Sequence, residues 1–273
     1  MKLAVAIASR SAPSSAFVVW RGFETSIAKA AALGYHGVEL ALKDAADVPP
    51  DALAAVLAQH GLQVSCISTG QVFAVSQLYF THPDAAKRAE LVRVFSGLIR
   101  LAKEFGQMIN VGRARGFIGE HQTRTEAETL FVETARRVCD EAAQHGVTIV
   151  IEPVNRYEIN FINNLDEGAE LLAHVNRPNL GLMPDVFHMN IEDAQIGAAL
   201  VRHARLVKYI HFADSNRLAP GQGHLDFDDV FDGLRRAGYN GWASIEILPK
   251  PDPDTAARQA AALRLDAAAR AHG

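Results

Sequence analysis

Four apolar runs in the second half of the chain each end on a residue that could bind a metal ion or move a proton. They are Ile149-Val150-Ile151-Glu152, Leu182-Met183-Pro184-Asp185, Tyr209-Ile210-His211 and Ser244-Ile245-Glu246. A charge placed directly after an apolar strand must be paired, solvated or bound to a cation. Three carboxylates and one imidazole make a hard, oxygen-rich donor set, which suits Mn²⁺, Mg²⁺ or Co²⁺ better than a thiolate-type zinc site. Glu152, Asp185, His211 and Glu246 are therefore the expected ligands of one divalent ion. Each alone has an ordinary reading: Glu152 paired with Arg156, or His211 satisfied near the core. Together, at one edge of a sheet, they outrun the local supply of basic residues.

The same set supplies a reaction. An ion bridging two substrate oxygens acidifies the carbon between or beside them. Glu152 and Glu246, on strands three positions apart, would reach that carbon from different sides. One removes the proton and the other returns one on the opposite face, inverting the centre. Return to a neighbouring carbon would instead be aldose–ketose isomerisation, and spacing leaves both outcomes open. His188 and Arg217 lie just beyond strand ends, where loops carry function. An Arg there clamps a hydroxyl, carboxylate or enediolate oxygen through its fork of donors, the ordinary alternative being an ion pair with Asp214 or Asp226. Glu39 ends the second strand and either orients His211 or the substrate or is a structural carboxylate. Cys66 reads as a packing residue. Gly221 and Gly223 read as a lid or turn, from which His224 could touch substrate.

These residues need a scaffold that brings successive strand ends together. Strand candidates fall at residues 3–8, 38–42, 64–68, 108–111, 148–153, 181–185, 207–212 and 243–247, separated by Ala- and Leu-rich stretches with helical spacing. Such alternation implies parallel strands joined by crossover helices. Glycine recurs where helix gives way to strand, at Gly34, Gly61, Gly106, Gly146 and Gly238, as left-handed helix ends require. Eight strand–helix units in 273 residues predict one (β/α)₈ TIM barrel spanning residues 1–273, with the site at the C-terminal ends of the strands. A doubly wound sheet is the structural rival, but no Gly-rich dinucleotide fingerprint follows the first strand.

Composition narrows the function further. A net charge of -4, with basic residues scattered and answered by acids, argues against nucleic-acid binding. No run is long and apolar enough for a membrane span, and the N-terminus lacks the parts of a signal peptide. The two cysteines, Cys66 and Cys139, form no disulfide framework, so a reducing cytoplasm is expected. A Schiff-base aldolase would need a lysine at a strand's C-terminal end, and Lys208 sits at the opposite end. Abasic-site DNA cleavage would need further metal ligands and a basic face. A sugar-sensing barrel without catalysis would have no use for the carboxylate pair.

Three segments resemble the motifs of ketose 3-epimerases in the xylose-isomerase-like TIM-barrel superfamily: Ile151-Glu152-Pro153-Val154-Asn155-Arg156-Tyr157-Glu158, Asp185-Val186-Phe187-His188-Met189-Asn190-Ile191-Glu192 and Ala213-Asp214-Ser215-Asn216-Arg217. The resemblance covers essentially the whole chain. Ser68-Thr69-Gly70-Gln71, Thr81-His82-Pro83 and Pro220-Gly221-Gln222-Gly223-His224 are most similar to 5-keto-L-gluconate epimerases. The resemblance implies inversion at C3 of an unphosphorylated ketose or keto-sugar acid, with Glu152 and Glu246 as acid/base pair and as metal ligands beside Asp185 and His211. It implies that Glu158, His188 and Arg217 hold substrate oxygens, that the ion is Mn²⁺ with Co²⁺ or Mg²⁺ able to substitute, and that the protein is a homodimer or homotetramer. The alternatives within the superfamily are an aldose–ketose or hydroxypyruvate-type isomerase, or a dehydratase. The first βα loop, residues 11–23, departs from the pattern; in relatives it shapes sugar specificity, and here it contributes Phe17, Trp20 and Phe23.

Overall fold

In the computed structural model the chain is described over residues 1–13 and 17–270, with side chains as far as residue 263. The strands are β1 Lys2–Ala8, β2 Gly37–Ala41, β3 Gln63–Ser68, β4 Met108–Val111, β5 Thr148–Ile151, β6 Leu180–Leu182, β7 Tyr209–Phe212 and β8 Trp242–Ile245. All are parallel, in the order β6-β5-β4-β3-β2-β1-β8-β7. The ring closes through parallel bridges at Leu182 to Val207 and Asp185 to His211, tied by Leu182 N donating to Leu206 O at 2.8 Å and His211 N to Pro184 O at 2.9 Å. The expected (β/α)₈ barrel is the observed one.

Helices α1 Phe23–Ala32, α2 Pro50–His60, α3 Gly70–Ser76, α4 Ala85–Glu104, α5 Arg124–Gln144, α6 Leu165–Val175, α7 Val186–Glu192, α8 Ile196–Arg202, α9 Phe227–Arg236 and α10 Pro253–Arg270 follow the strands. Among the described residues no helix is long and apolar enough to cross a membrane. The two-residue strand Trp20–Arg21 adds to β1. Gly34, Gly61, Gly106, Gly146 and Gly238 all have positive φ, so the helix-to-strand junctions are built as expected.

Strand parity decides which side chains meet. Val150, Met183, Tyr209 and Cys66 pack together inside the barrel, whereas Ile149, Ile151, Ile210 and Ile245 join the larger core under the helices. Two residues on from Val150, Met183 and Tyr209 stand Glu152, Asp185 and His211, so the alternation of a pleated strand turns all three inward. Outside, Phe80 packs edge-on against Phe95 at 5.3 Å and Phe131 against Phe161 at 5.9 Å. Each such buried ring stabilises the fold by about 1.5–3 kcal/mol and seats α4 and α5 behind the rim.

Several expected strands end early, among them β8, which stops at Ile245 and not at residue 247. β5 stops at Ile151 and β6 at Leu182, not at residues 153 and 185. Pro153 and Pro184 have no N–H to give a ladder, so Glu152 and Asp185 stand at the point where sheet becomes loop. The short helices α3 and α7 start on this same rim and are additional to one helix per strand.

Candidate active site

Glu152, Asp185, His211 and Glu246 converge on one point, each offering a ligand atom within 4.8 Å of the others. Each carboxylate is steered by its neighbours. Glu152 Oε2 accepts from Asn110 Nδ2 at 3.3 Å; a Cβ on Gly112 would come 2.8 Å from that oxygen, so only glycine leaves it room. Asp185 caps α7, its Oδ1 accepting from Phe187 N at 2.9 Å, which leaves Oδ2 facing the cluster. His211 Nε2 lies 2.9 Å from Glu39 Oε2, which also accepts from Tyr209 OH at 3.0 Å. Glu39 is fully buried, so its place beside His211 matches the orienting reading of the sequence.

The other imidazole nitrogen tests the fit of a cation. His211 Nδ1 is buried without a hydrogen-bond partner and faces Glu246 Oε2 at 3.6 Å, Asp185 Oδ2 at 3.8 Å and Glu152 Oε1 at 3.9 Å. An imidazole nitrogen without a hydrogen-bond partner, opposite three carboxylate oxygens, is the donor set of a hard or borderline divalent ion once its proton is released, and these residues fit one.

Burial raises Glu152 well above the usual carboxylate range, with Glu246 adding to the rise. Burial pushes Glu246 the same way, but His211 and Arg217 outweigh it and leave Glu246 below that range. Burial opposes charge on His211 too, yet Glu39 and Glu246 raise it well above the ordinary histidine value. Arg217 forms ion pairs with Asp185 at 2.6 Å and with Glu246, not with Asp214 or Asp226. Its guanidinium lies between the rings of Phe17 and Phe187 at 5.0 and 4.7 Å, and its φ of 62° is left-handed, a strained conformation kept where a functional side chain must be aimed.

His188 departs from expectation in one respect: it lies in α7, not in a loop, because the Asp185 cap starts a helix there. It is buried, with Nε2 at 3.7 Å from Glu152 Oε1 and 4.0 Å from Asp185 Oδ2. Burial, then Arg217, hold it well below the usual histidine range. Glu158 lines the same cleft, an opening with about 740 Å³ of empty space, and Glu152, His188, Arg217 and Glu246 line it with Glu158. The bland partner for Glu152 is absent, since Arg156 pairs with Glu192 at 2.6 Å.

Other expectations are met in part. Of the first-loop aromatics, Phe17 lines the cleft, while Trp20 is buried and donates to Asp254 Oδ1 at 2.7 Å and Phe23 opens α1. Residues 14–16 of that loop lie outside the described residues. His224 is not among the cleft-lining residues; its Nδ1 lies 3.0 Å from Ser215 Oγ. The segment around Gly221 and Gly223 is a turn tied to Asp214, whose carboxylate accepts from Gly221 N at 2.7 Å and Leu225 N at 3.1 Å. Cys66 is buried inside the barrel, as a packing residue would be.

Sequence reasoning missed Asn110, Arg113, Arg115 and Asn155. Asn110 and Arg113 line the cleft at the end of β4. Listing polar residues at all eight strand ends, not the last four alone, would have found both. Arg115 is fully buried, donating to the carbonyls of Phe161 (2.9 Å), Glu152 (2.8 Å) and Ile162 (2.9 Å), and nothing in its sequence setting marks it.

The model of the xylose isomerase-like TIM barrel family matches residues 27–266. A ketose 3-epimerase of Arthrobacter globiformis is 31% identical over 222 residues, covering 81% of this chain and 75% of the relative. A 3-dehydro-D-guloside 4-epimerase of Escherichia coli is 32% identical over 139 residues, covering 50% of this chain and 53% of the relative. The crystal structure of a D-psicose 3-epimerase with D-tagatose, from Clostridium cellulolyticum, has the same fold, with a TM-score of 0.84 at 22% identity over 98% of this chain and 99% of that one.

Proposed function

The chain belongs to the xylose isomerase-like TIM barrel family and groups within it with the ketose 3-epimerases, and from that premise we propose that it inverts C3 of an unphosphorylated ketose or keto-sugar acid. The observation that carries this reading is the approach of Glu152 and Glu246 to one cleft from strands on different sides of it, with unlike proton affinities. Glu152, Asp185, His211 and Glu246 would hold a divalent ion, which when bound polarises substrate oxygens and acidifies the neighbouring C–H. We propose Mn²⁺ as that ion, from the oxygen-rich donor set and the epimerase resemblance.

The chain's own groups divide the remaining work. One of the two glutamates takes the C3 proton and the other delivers one to the opposite face, so the carbon inverts with no net change in protons. Arg217, fixed between two rings, and His188 face the oxygens on which enediolate charge grows. Glu158 accepts from a substrate hydroxyl. Arg113 lines the cleft near Asn110 and rests on the Phe73 ring at 5.1 Å; unlike Arg217 it makes no ion pair among the described residues. A guanidinium free for an acid group supports a keto-sugar acid within the substrate class.

We place the enzyme in the cytoplasm, where Cys66 and Cys139, both buried and free, stay reduced. A homodimer or homotetramer is the assembly proposed; Tyr157, 82% exposed at the rim, supplies an aromatic surface for it.

The test is turnover of fructose, tagatose, psicose, ribulose and 5-keto-L-gluconate with Mn²⁺ in deuterated water. Deuterium at C3 of an inverted product, lost on chelation, supports the epimerase. Label at C1 or C2 with an aldehyde product moves the assignment to isomerisation. Preference for neutral ketoses over the acid would remove the role given to Arg113.

A further inference from the structure

We propose that Asn155 is a positioning residue that fixes the tautomer of His188, so that the neutral imidazole presents an Nε2–H donor to the substrate. The orientation of the Asn155 amide follows from its surroundings. Its Oδ1 accepts the backbone N–H of Tyr157 at 3.0 Å, so the other terminal atom is the NH₂ group. That nitrogen lies 2.7 Å from His188 Nδ1 and 3.2 Å from Glu158 Oε1. An amide nitrogen only donates, so Nδ1 must offer its lone pair, and the single proton of neutral His188 resides on Nε2. Nε2 is the atom that faces Glu152 and Asp185.

Both side chains are buried, Asn155 at 1% and His188 at 4% exposure, so water does not compete for the bond between them, while Glu158 is exposed. The two N–H bonds of one amide thus join His188 and Glu158, an imidazole from α7 and a carboxylate from the turn after β5, into one donor–acceptor unit. With the opposite tautomer, His188 would turn a lone pair toward a substrate oxygen and repel it. A donor aimed where negative charge grows strengthens as the enediolate forms, so its loss falls on kcat more than on KM.

This rests on the epimerase reading for its kinetic consequence, but not for its structural one. The experiment is ¹⁵N–¹H correlation of the histidine rings in the Mg²⁺-loaded protein and in the metal-free protein, with His188 assigned by its disappearance in His188→Gln. The wild type is expected to show a protonated Nε2 and a bare Nδ1 at His188. In Asn155→Asp the carboxylate accepts from Nδ1, so that nitrogen becomes protonated, and kcat on the substrate found above falls roughly 10–100-fold with KM changed far less. A protonated Nδ1 in the wild type, or an unchanged ring in Asn155→Asp, overturns the proposal whatever the activity. The expected tautomers without turnover of any ketose would instead sink the epimerase reading and leave the role of Asn155 standing. Thermal unfolding of Asn155→Asp alongside the spectra identifies a misfolded variant, and Asn155→Ser, which keeps the acceptor for Tyr157 N–H, then serves in its place with a mixture of tautomers as the expected result.

Discussion

Glu152 and Glu246 carry the same functional group into the same cleft, yet burial and neighbours divide their protons unequally. Glu246, lowered by His211 and Arg217 despite its burial, is the ionised member. Replacing it with Gln keeps its size and removes its charge and basicity. Glu246→Gln is expected to fold, by circular dichroism and thermal unfolding, while losing roughly 10²–10⁴-fold in C3 exchange; full activity would rule out the two-carboxylate mechanism. A second expectation follows from the raised values of Glu152 and His211. Both groups hold protons near neutrality in the metal-free protein, and both must release them to bind an ion. Metal affinity should therefore rise as pH climbs through these raised values and fall on acidification. Calorimetry of Mn²⁺ binding in buffers of different ionisation enthalpy measures the protons released, and pH-independent binding without proton release would contradict it.

At the scale of elements, the rim is held by bonds that cross from one βα loop to the next. Arg115, in the short 3₁₀ turn Arg113–Arg115 after β4, donates to carbonyls of the segment after β5, including that of Glu152. Burial pulls its own pKa down to about 10, so it remains charged at neutral pH. Arg115→Met would strand these carbonyls at about 1–3 kcal/mol each. A loss of several kcal/mol in urea unfolding is expected, with weaker metal binding because the Glu152 backbone is released; a change below about 1 kcal/mol would show that the clamp is dispensable. Packing between helices is equally exacting. A Cβ on Gly233 of α9 would meet Gly197 Cα of α8 at 2.5 Å, so these two helices approach as closely as backbones permit.

For the molecule as a whole, the barrel brings four potential ligands from four consecutive strands to one point, so binding of an ion there would link metal occupancy to folding. Mn²⁺ at about 100 times its dissociation constant should add about 2.7 kcal/mol, roughly 5–10 °C in Tm for a chain of this size. Calorimetry with and without chelator checks this, and an unchanged Tm would contradict a native metal site. Much of this arrangement was legible in the sequence. Period-two alternation made Glu152, Asp185 and His211 point the same way as Val150, Met183 and Tyr209, and strand–helix alternation with glycine at the junctions specified a parallel barrel, because both are local consequences of backbone geometry. The helical setting of His188, the ion pairs of Arg217, the removal of Trp20 from the cleft and the hydrogen bonds of Asn155 and Arg115 were not legible. Each depends on which side chain from a distant segment arrives within about 3 Å, the length of a hydrogen bond. Such distances are set by the closure of the whole ring and by no pattern within one strand.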